Sequence, residues 1–471
     1  MYAHIYMSRP DSHNPLIHAI QSNSFVASRT LTFVHSILSI FTLKRKSAEL
    51  DSMSSVPSPG NDSEIFRFTD EGIAQYVEFP KDTIFIESIA SNESFNKGVG
   101  YVAAQRKSGP GGAPESFIYE ITPKMTKAKE LFGPVMAKGG SPVTVFGSAI
   151  TSTGILYLCA FNRNSVICYD LNDMPESGKP AVCNMEIPNL PSPNDMCIDP
   201  NDEMILYVCG GSFRKLLFTT FTNSANGQVF KVQVNEDGTD STVTTVKKGF
   251  DALAGIEVVG NDVWTAQLYD IFSLDHTKNY ELTNRWKGND GAGNVWLADN
   301  IDVFDDNLVL SPAYSIVSER LVQNALARNF VTSAALFIYQ IFTACTKCER
   351  LSEALLDPEV SLALSNTYIQ EGVDPLPVRM VMMTPDGSKY YHFEIDLVET
   401  RANHKPWEPN PEDKPGKMRE HFNEQVTHAS HLRTKDGAGY VVCVSFEEPR
   451  ILLLKDAKFK ECIAKKDRAK S

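Results

Sequence analysis

The sequence predicts an all-β fold, a six-bladed β-propeller with a helical insertion in its fifth blade, and three observations lead to this prediction. Strands of alternating aromatic and β-branched residues recur along the chain from about residue 80. They recur at intervals of about 50 residues, which is typical of four-stranded sheets arranged around an axis. A short polar motif precedes each of these strands, so the motifs are expected to meet at one end of that axis.

Six landmark strands carry the repeat. The first five are about 45 to 57 residues apart, and the last interval is about 132 residues long, which indicates an insertion of about 80 residues in the fifth blade. We expect each landmark strand to be the innermost strand of its blade. The landmark strands are GVGYVAAQ around Tyr101, ILYLCAF around Tyr157, ILYVCGG around Tyr207, DVWTAQL around Trp264, NLVLSPA around Val309 and YVVCVSF around Val441.

The composition is that of an ordinary globular protein and argues against several classes of function. The chain has 471 residues, of which 42% are hydrophobic and 22% are charged, so it is neither disordered nor collagen-like. Its formal net charge of -13 supplies no basic surface for a phosphate backbone, so no nucleic-acid partner is expected. No stretch reaches the roughly 18 consecutive apolar residues of a membrane-spanning helix, which argues against a multi-pass membrane protein.

Nine cysteines are an odd count in a long chain, and they predict free thiols rather than a disulfide framework. Cys159, Cys209 and Cys443 occupy equivalent places in three landmark strands, which predicts buried packing rather than redox chemistry. Free thiols favour a cytoplasmic location. The secretory pathway and a membrane anchor are the alternatives.

Residues 1–62 differ in composition from the rest, and we interpret them as a leader outside the propeller, which is predicted to span residues 63–471. The segment is rich in Ser, His and Asn. Its one apolar stretch, residues 31–43, is followed by the basic residues 44–46 and has no small-residue cleavage site, unlike a secretory signal. A poorly structured leader, a short membrane anchor and translated sequence upstream of a later start are the alternatives.

The polar motifs are expected at one mouth of the central channel, where they would converge on the axis. Most of their polar side chains are carboxylates and carboxamides, the hard oxygen donors that calcium prefers. Such groups, buried without partners, would cost considerable free energy, and a cation would satisfy them. The motifs are Glu87-Ser88-Ile89, Phe146-Gly147-Ser148, Pro193-Asn194-Asp195, Ala254-Gly255-Ile256, Asp299-Asn300-Ile301 and Ser430-His431.

These motifs, in their order along the chain, carry a family resemblance. FIESIA, SPNDMCIDP, LAGIEV, LADNIDV and the closing ASHLRTKDGAGYVVCVSFEEPRILLL resemble the six-bladed propellers of the gluconolactonase, paraoxonase and strictosidine-synthase-like superfamily. The resemblance covers roughly residues 80 to 456 and implies a calcium-dependent hydrolase acting on a small-molecule lactone or ester. It also implies that the ion is held by Glu87, Asn194, Asp299 and Asn300.

Asp299 is the first candidate for the catalytic base or nucleophile, because a carboxylate beside a metal can activate water or attack directly. His431 is the second candidate for catalysis, and His428 lies beside it. Two positions depart from the family pattern. Ala254 stands where the family has Asn, which removes one oxygen ligand, and Phe146 stands in the motif where the paraoxonase arm has His.

A second class of function stays open, because a fold does not dictate a function. It is a non-catalytic or degenerate strictosidine-synthase-like propeller that binds a ligand or a protein. The insertion, about residues 315–375, has apolar residues at three- and four-residue steps, which predicts one or two amphipathic helices. Such helices would form a lid over the channel, or an apolar face for peripheral membrane contact or dimerisation.

Overall fold

The structure is a computed structural model, and it is described here for part of the chain. The predicted leader and residues 317–375 of the predicted insertion lie outside the described residues, as does the loop 399–425. The described ranges are 65–107, 114–175, 179–211, 227–235, 240–250, 253–267, 270–287, 295–305, 307–316, 377–398, 426–445 and 449–470.

Two strands, β1 (Ile65–Thr69) and β2 (Ala74–Glu78), precede the first blade. Each of the next four blades is an antiparallel sheet of four strands. A two-residue parallel pair, β7 with β11, lies outside these sheets. The strands are β3 (Thr83–Ser91), β4 (Gly100–Lys107), β5 (Pro114–Ile121), β6 (Lys129–Phe132), β7 (Val135–Met136), β8 (Val145–Ile150), β9 (Ile155–Ala160), β10 (Ser165–Asp170), β11 (Ala181–Val182), β12 (Met185–Ile187), β13 (Pro193–Asp199), β14 (Asp202–Gly210), β15 (Gly227–Val234), β16 (Ser241–Phe250), β17 (Leu253–Val259), β18 (Asp262–Gln267), β19 (Asp270–Asp275) and β20 (Glu281–Lys287).

The fifth and sixth blades each include a strand from the start of the described chain, β1 or β2, beside strands from its C-terminal part. Blade five contains β21 (Val295–Ala298), β22 (Asp302–Phe304), β23 (Leu308–Ile316), β24 (Val378–Met383) and β25 (Tyr390–Asp396), and blade six contains β26 (Val426–Arg433), β27 (Gly439–Ser445) and β28 (Arg450–Lys455). Strand β2 pairs antiparallel with β28 as the outer strand of blade six, and β1 adds in parallel to β25. The ring is therefore closed by backbone hydrogen bonds, which also cover the outer edges of β25 and β28.

The first strand of each blade faces the axis. Strands β3, β8, β13, β17, β22 and β26 contact one another in this order, and β26 returns to β3. This confirms six blades and corrects one expectation, because every landmark strand is the second of its blade and not the innermost. The second strand lies between two neighbours in its sheet and is buried on both faces, so it has the more continuous apolar sequence. The innermost strand carries polar side chains and is less conspicuous.

Hydrophobic side chains fill the spaces between neighbouring blades. Cys159, Cys209 and Cys443 are fully buried there as free thiols, as the sequence predicts. Burial raises the pKa of each of these thiols, which keeps them in the unreactive protonated form.

A C-terminal helix, α2 (Ala457–Lys470), was not predicted from the sequence; a shorter helix, α1 (Glu93–Asn96), follows β3. The fully buried ring of Phe459 on α2 lies 5.4 Å from Phe68 and 5.0 Å from Phe393, between ring centroids. Helix α2 thus covers the added strand β1. Among the described residues, neither helix has the length and apolar character needed to cross a membrane.

Candidate functional site

The innermost strands are interrupted at one level of the channel, where the sequence motifs lie. In five blades the pairing with the second strand shifts by a β-bulge, and in blade five the strand is divided between β21 and β22. A bulge leaves its extra residue unpaired and redirects the side chain. The interrupted positions are Glu87, Phe146 with Gly147, Asn194, Ala254, residues 299–301, and Thr427.

Buried oxygen atoms at these positions lack hydrogen-bond partners. They are Oε2 of Glu87, Oδ1 of Asn194 and Oδ1 of Asn300, and the amide nitrogen of Asn300 is unpartnered as well. Glu87 is 7% exposed and Asn300 is 1% exposed. Most buried polar atoms in proteins are hydrogen-bonded, and an unpaired one costs about 1–3 kcal/mol. These atoms would be satisfied by a cation or by a hydrogen-bond donor placed among them.

The charges around Glu87 also favour a cation at this level of the channel. Burial raises the pKa of Glu87 well above its usual value, and the carboxylates of Asp299 and Asp195 raise it further. Carboxylates from blades one, three and five are thus close enough to repel one another. A cation bound among them would relieve both the burial cost and the repulsion.

A second group of acids follows further along the channel. Burial raises the pKa of Asp195 to about 7, opposed by His428 and by backbone N–H donors. Glu257 also has a pKa raised well above its usual value, by burial and then by Asp302. His428 is 4% exposed, and neither of its ring nitrogens has a hydrogen-bond partner. Its Nε2 lies 3.9 Å from Oδ2 of Asp302.

Close contacts between blades hold the motif backbones together. A Cβ atom on Gly147 would lie 2.4 Å from the Cα of Asp195, and one on Gly255 would lie 2.5 Å from the Cα of Asn300. Only glycine allows strands to approach so closely. The backbone N–H of Asn300 donates to the carbonyl oxygen of Thr427 at 3.2 Å, which joins blades five and six.

The structure brings Glu87, Asn194 and Asn300 to one level of the channel, and the charge of Asp299 acts on Glu87. It does not bring His431 to that level, because Thr427 occupies the bulge of blade six, four residues earlier on β26. The sixth motif was therefore placed too far along the chain.

His431 belongs to a different cluster. It is hydrogen-bonded through Nε2 to Asp456 at 3.0 Å, and its Nδ1 accepts the backbone N–H of Asp305 at 3.2 Å. Its ring also packs on Phe304, with centroids 4.5 Å apart.

Sequence reasoning missed Glu257 and Asp302. Each lies three residues after the first residue of its motif, Ala254 or Asp299. The shared spacing in AGIE and DNID was the available signal. It was overlooked because only the tripeptides themselves were considered to reach the axis.

The donor set suits calcium better than zinc. Within the described ranges, no three His, Cys, Asp or Glu side chains form a metal-binding group. An ion at this level would therefore depend on the carboxamides of Asn194 and Asn300 together with the carboxylates of Glu87 and Asp299. Calcium accepts such amide oxygens, whereas zinc prefers thiolates and imidazoles. Ala254 contributes no side-chain oxygen.

Comparisons with solved structures find matches at low sequence identity. A structural-genomics target proposed to be a gluconolactonase has a TM-score of 0.41 and 9% identity, covering 82% of this chain and 94% of its own. A luciferin-regenerating enzyme has a TM-score of 0.42 and 8% identity, covering 81% and 95%. Virginiamycin B lyase from Staphylococcus aureus has a TM-score of 0.38 and 11% identity, covering 81% and 98%.

The sequence matches no protein-family model and no curated protein. The fold assignment consequently rests on the strand pairing of the chain itself. The protein is a six-bladed β-propeller with buried oxygen donors at one end of its axis.

Proposed function

We propose that the chain is a calcium-dependent hydrolase of a lactone or ester, with the ion bound at the bulged level of the channel. The observation that carries the proposal is the group of buried, unpartnered oxygen atoms on Glu87, Asn194 and Asn300. A calcium ion takes roughly six to eight oxygen ligands and would satisfy all three. The nearby carboxylates supply the negative charge that a divalent ion requires.

The residues around the site have separate tasks in this proposal. Glu87 and Asp299 provide charge, and Asn194 and Asn300 provide neutral carbonyl oxygens. The bound ion would polarise the carbonyl oxygen of the ester and stabilise the charge that develops there. Asp299, which is only partly buried, is the group that would take a proton from the attacking water or attack the carbonyl itself.

The first test measures calcium binding through thermal stability. The full chain is stripped with EDTA and titrated with calcium, with magnesium as a parallel series. We expect a rise in melting temperature of several degrees that saturates with calcium, since a ligand that binds only the folded state stabilises it. The isosteric change Glu87→Gln should weaken calcium binding at least tenfold. Glu120→Gln, the same change at a partly buried glutamate of the same blade that is ion-paired with Lys129, should not.

The second test measures chemistry. Hydrolysis of δ-valerolactone and phenyl acetate should require calcium and should fall at least a hundredfold in Asp299→Asn, which still offers an oxygen but cannot take a proton. A parent protein whose stability does not respond to calcium would overturn the proposal at its first step.

The second candidate function is a non-catalytic propeller that binds a ligand or protein, and Ala254 is the observation that favours it. With one oxygen ligand fewer at the level of the β-bulges, a bound ion would stabilise the channel without taking part in catalysis. In that case calcium would raise the melting temperature, but neither substrate would be hydrolysed.

A further inference from the structure

The outer edge of blade three is a long strand that is paired on one side only. Strand β16 has ten residues and pairs with β15. The other outer strands that the structure describes, β1, β2, β6, β12 and β20, have three to seven residues. Within the described part of the chain, no second strand pairs with β16. We refer to its unpaired side as the blade-three edge.

Two other outer edges of the ring are covered by the chain itself. On blade six, the backbone N–H of Glu78 in β2 donates to the carbonyl oxygen of Thr126 at 2.9 Å, and the N–H of Ala128 donates to the carbonyl oxygen of Glu78 at 2.8 Å. On blade five, β1 covers the edge of β25. Because an exposed edge strand readily pairs with another chain, proteins usually shield such edges. The blade-three edge is therefore a candidate interaction surface.

The pairing with β15 shows which backbone groups of β16 face outward. The N–H of Asn235 donates to the carbonyl oxygen of Asp240 at 3.1 Å, so the backbone of Asp240 faces β15. The pairing is regular from there as far as Thr245. Since hydrogen bonding alternates along an antiparallel strand, Val243 and Thr245 direct their N–H and C=O groups away from β15. Among the described residues, these groups have no other hydrogen-bond partner.

The side chains of the blade-three edge suit sheet pairing, and opposite charges lie at its two ends. Residues 242–246 are all β-branched, the type that strands favour. Asp240 and Lys248 lie four residues on either side of Thr244, and all three side chains are exposed. Within the described ranges, Lys248 forms no ion pair. An identical strand that runs in the opposite direction would therefore bring an acid to each lysine.

We propose that the blade-three edge pairs with the same edge of a second copy of this chain, antiparallel about a twofold axis at Thr244. Val243 of one copy would exchange backbone hydrogen bonds with Thr245 of the second copy, and Lys248 would lie opposite Asp240. A symmetric dimer requires such a self-complementary surface, and opposite charges across a strand pair stabilise it. Strand β16 is the outermost of its blade, so this dimer does not depend on the proposed hydrolysis.

The first test is the mass of the full chain in solution. Sedimentation velocity is measured from low micromolar concentration to the highest soluble concentration. We expect a monomer of 52.3 kDa at the low end and a rising fraction of dimer above it. A chain that stays monomeric at every concentration would overturn the proposal, and the edge would then be open to a strand from a different protein.

Two charge reversals test the alignment of the strands. Lys248→Glu places a carboxylate opposite Asp240, and Asp240→Lys places an ammonium group opposite Lys248, so each variant alone should dimerise about tenfold more weakly or worse. An equimolar mixture restores opposite charges at both ends and should form a heterodimer with nearly the parent affinity. Lys81→Glu, the same change on an exposed turn before β3, is the control and should dimerise like the parent. A mixture that associates no better than either variant would refute the alignment.

A backbone substitution tests the hydrogen bonds. Thr245→Pro removes an N–H that faces away from β15, which an edge strand tolerates, so the melting temperature should change little while dimerisation is lost. Thr245→Val keeps the N–H and the branched side chain, and it should dimerise like the parent. If Thr245→Pro still dimerises with the parent affinity, the association uses a different surface and the proposal is wrong.

Discussion

Oδ2 of Asp195 accepts a hydrogen bond from the backbone N–H of Ile256 at 3.2 Å, and this contact joins blade three to blade four beside the candidate site. Asp195 is 2% exposed. A carboxylate directly next to the predicted ligand Asn194 therefore positions the neighbouring innermost strand. It also adds negative charge to a channel that already contains Glu87 and Asp299.

The two tasks of Asp195 can be separated by substitution. Asp195→Ala should lower the free energy of unfolding by about 1–3 kcal/mol, because the buried N–H of Ile256 loses its acceptor. Asp195→Asn keeps an acceptor oxygen and removes charge, so without calcium it should be clearly more stable than Asp195→Ala. Urea denaturation in EDTA measures both. Equal losses in the two variants would show that the hydrogen bond is unimportant.

The raised pKa values predict how stability depends on pH. The pKa of Asp195 is raised to about 7, and those of Glu87 and Glu257 are raised well above their usual values. Between the ordinary carboxyl pKa of about 4 and these higher values, the folded state holds protons that the unfolded state has released. Stability without calcium should therefore fall as pH rises through this window, by an amount on the order of 4 kcal/mol for Asp195 alone.

Urea midpoints measured between about pH 5 and pH 8, in EDTA and in calcium, test this dependence. Calcium should restore stability at the upper end, because it binds the ionised carboxylates. Asp195→Asn should flatten the decline. A flat profile for the parent protein in EDTA would contradict the proposed burial of several carboxyl groups in one channel.

The glycines of the second and fourth motifs should not tolerate a methyl group. Gly147→Ala and Gly255→Ala would each place Cβ within 2.5 Å of a neighbouring backbone, so the blades would have to separate, at a cost of about 1–3 kcal/mol or more. Gly139→Ala is the control, because a Cβ there meets nothing within 4 Å. Melting temperatures give the comparison, and equal values for all three variants would show that the blades are not in close contact.

Ala254 can be used to test the missing ligand. Ala254→Asn adds a carboxamide at the bulge of blade four and should increase calcium affinity about tenfold or more. Ala254→Leu has nearly the same shape without the oxygen and should not. If the two variants bind calcium equally, position 254 does not face the ion.

His431 is expected to stabilise the fold and not to take part in catalysis. Its two hydrogen bonds, to Asp456 and from the backbone of Asp305, tie β26 to the chain segments that follow β22 and β28. His431→Ala should therefore cost about 1–3 kcal/mol of stability and leave the calcium affinity of the folded protein unchanged. Loss of hydrolysis at a temperature where the variant is fully folded would instead support the catalytic role predicted from the sequence.

Much of the fold was predictable because its signal is local. The second strand of each blade is buried on both faces, so its apolar sequence recurs at every blade and reveals their number. The same property explains why the landmark strands were predicted to be innermost. The most apolar strand of a blade is expected nearest the axis, but here that strand is the second one. Helix α2 was missed because charged residues dominate its sequence, while its one fully buried ring, Phe459, packs against strands from both ends of the chain.

The sequence by itself determined the number of blades, because one apolar strand recurs in each of them. The resemblance of its motifs predicted Glu87, Asn194, Asp299 and Asn300 as oxygen ligands, and that assignment stays a prediction. Only the tertiary structure decided which strand faces the axis, which residue of blade six reaches the bulged level, and that Glu257 and Asp302 add charge further along the channel. Those features depend on β-bulges and on contacts between strands far apart in the chain. No single segment of the sequence shows where a strand bulges or how it is aligned with the strands of the next blade.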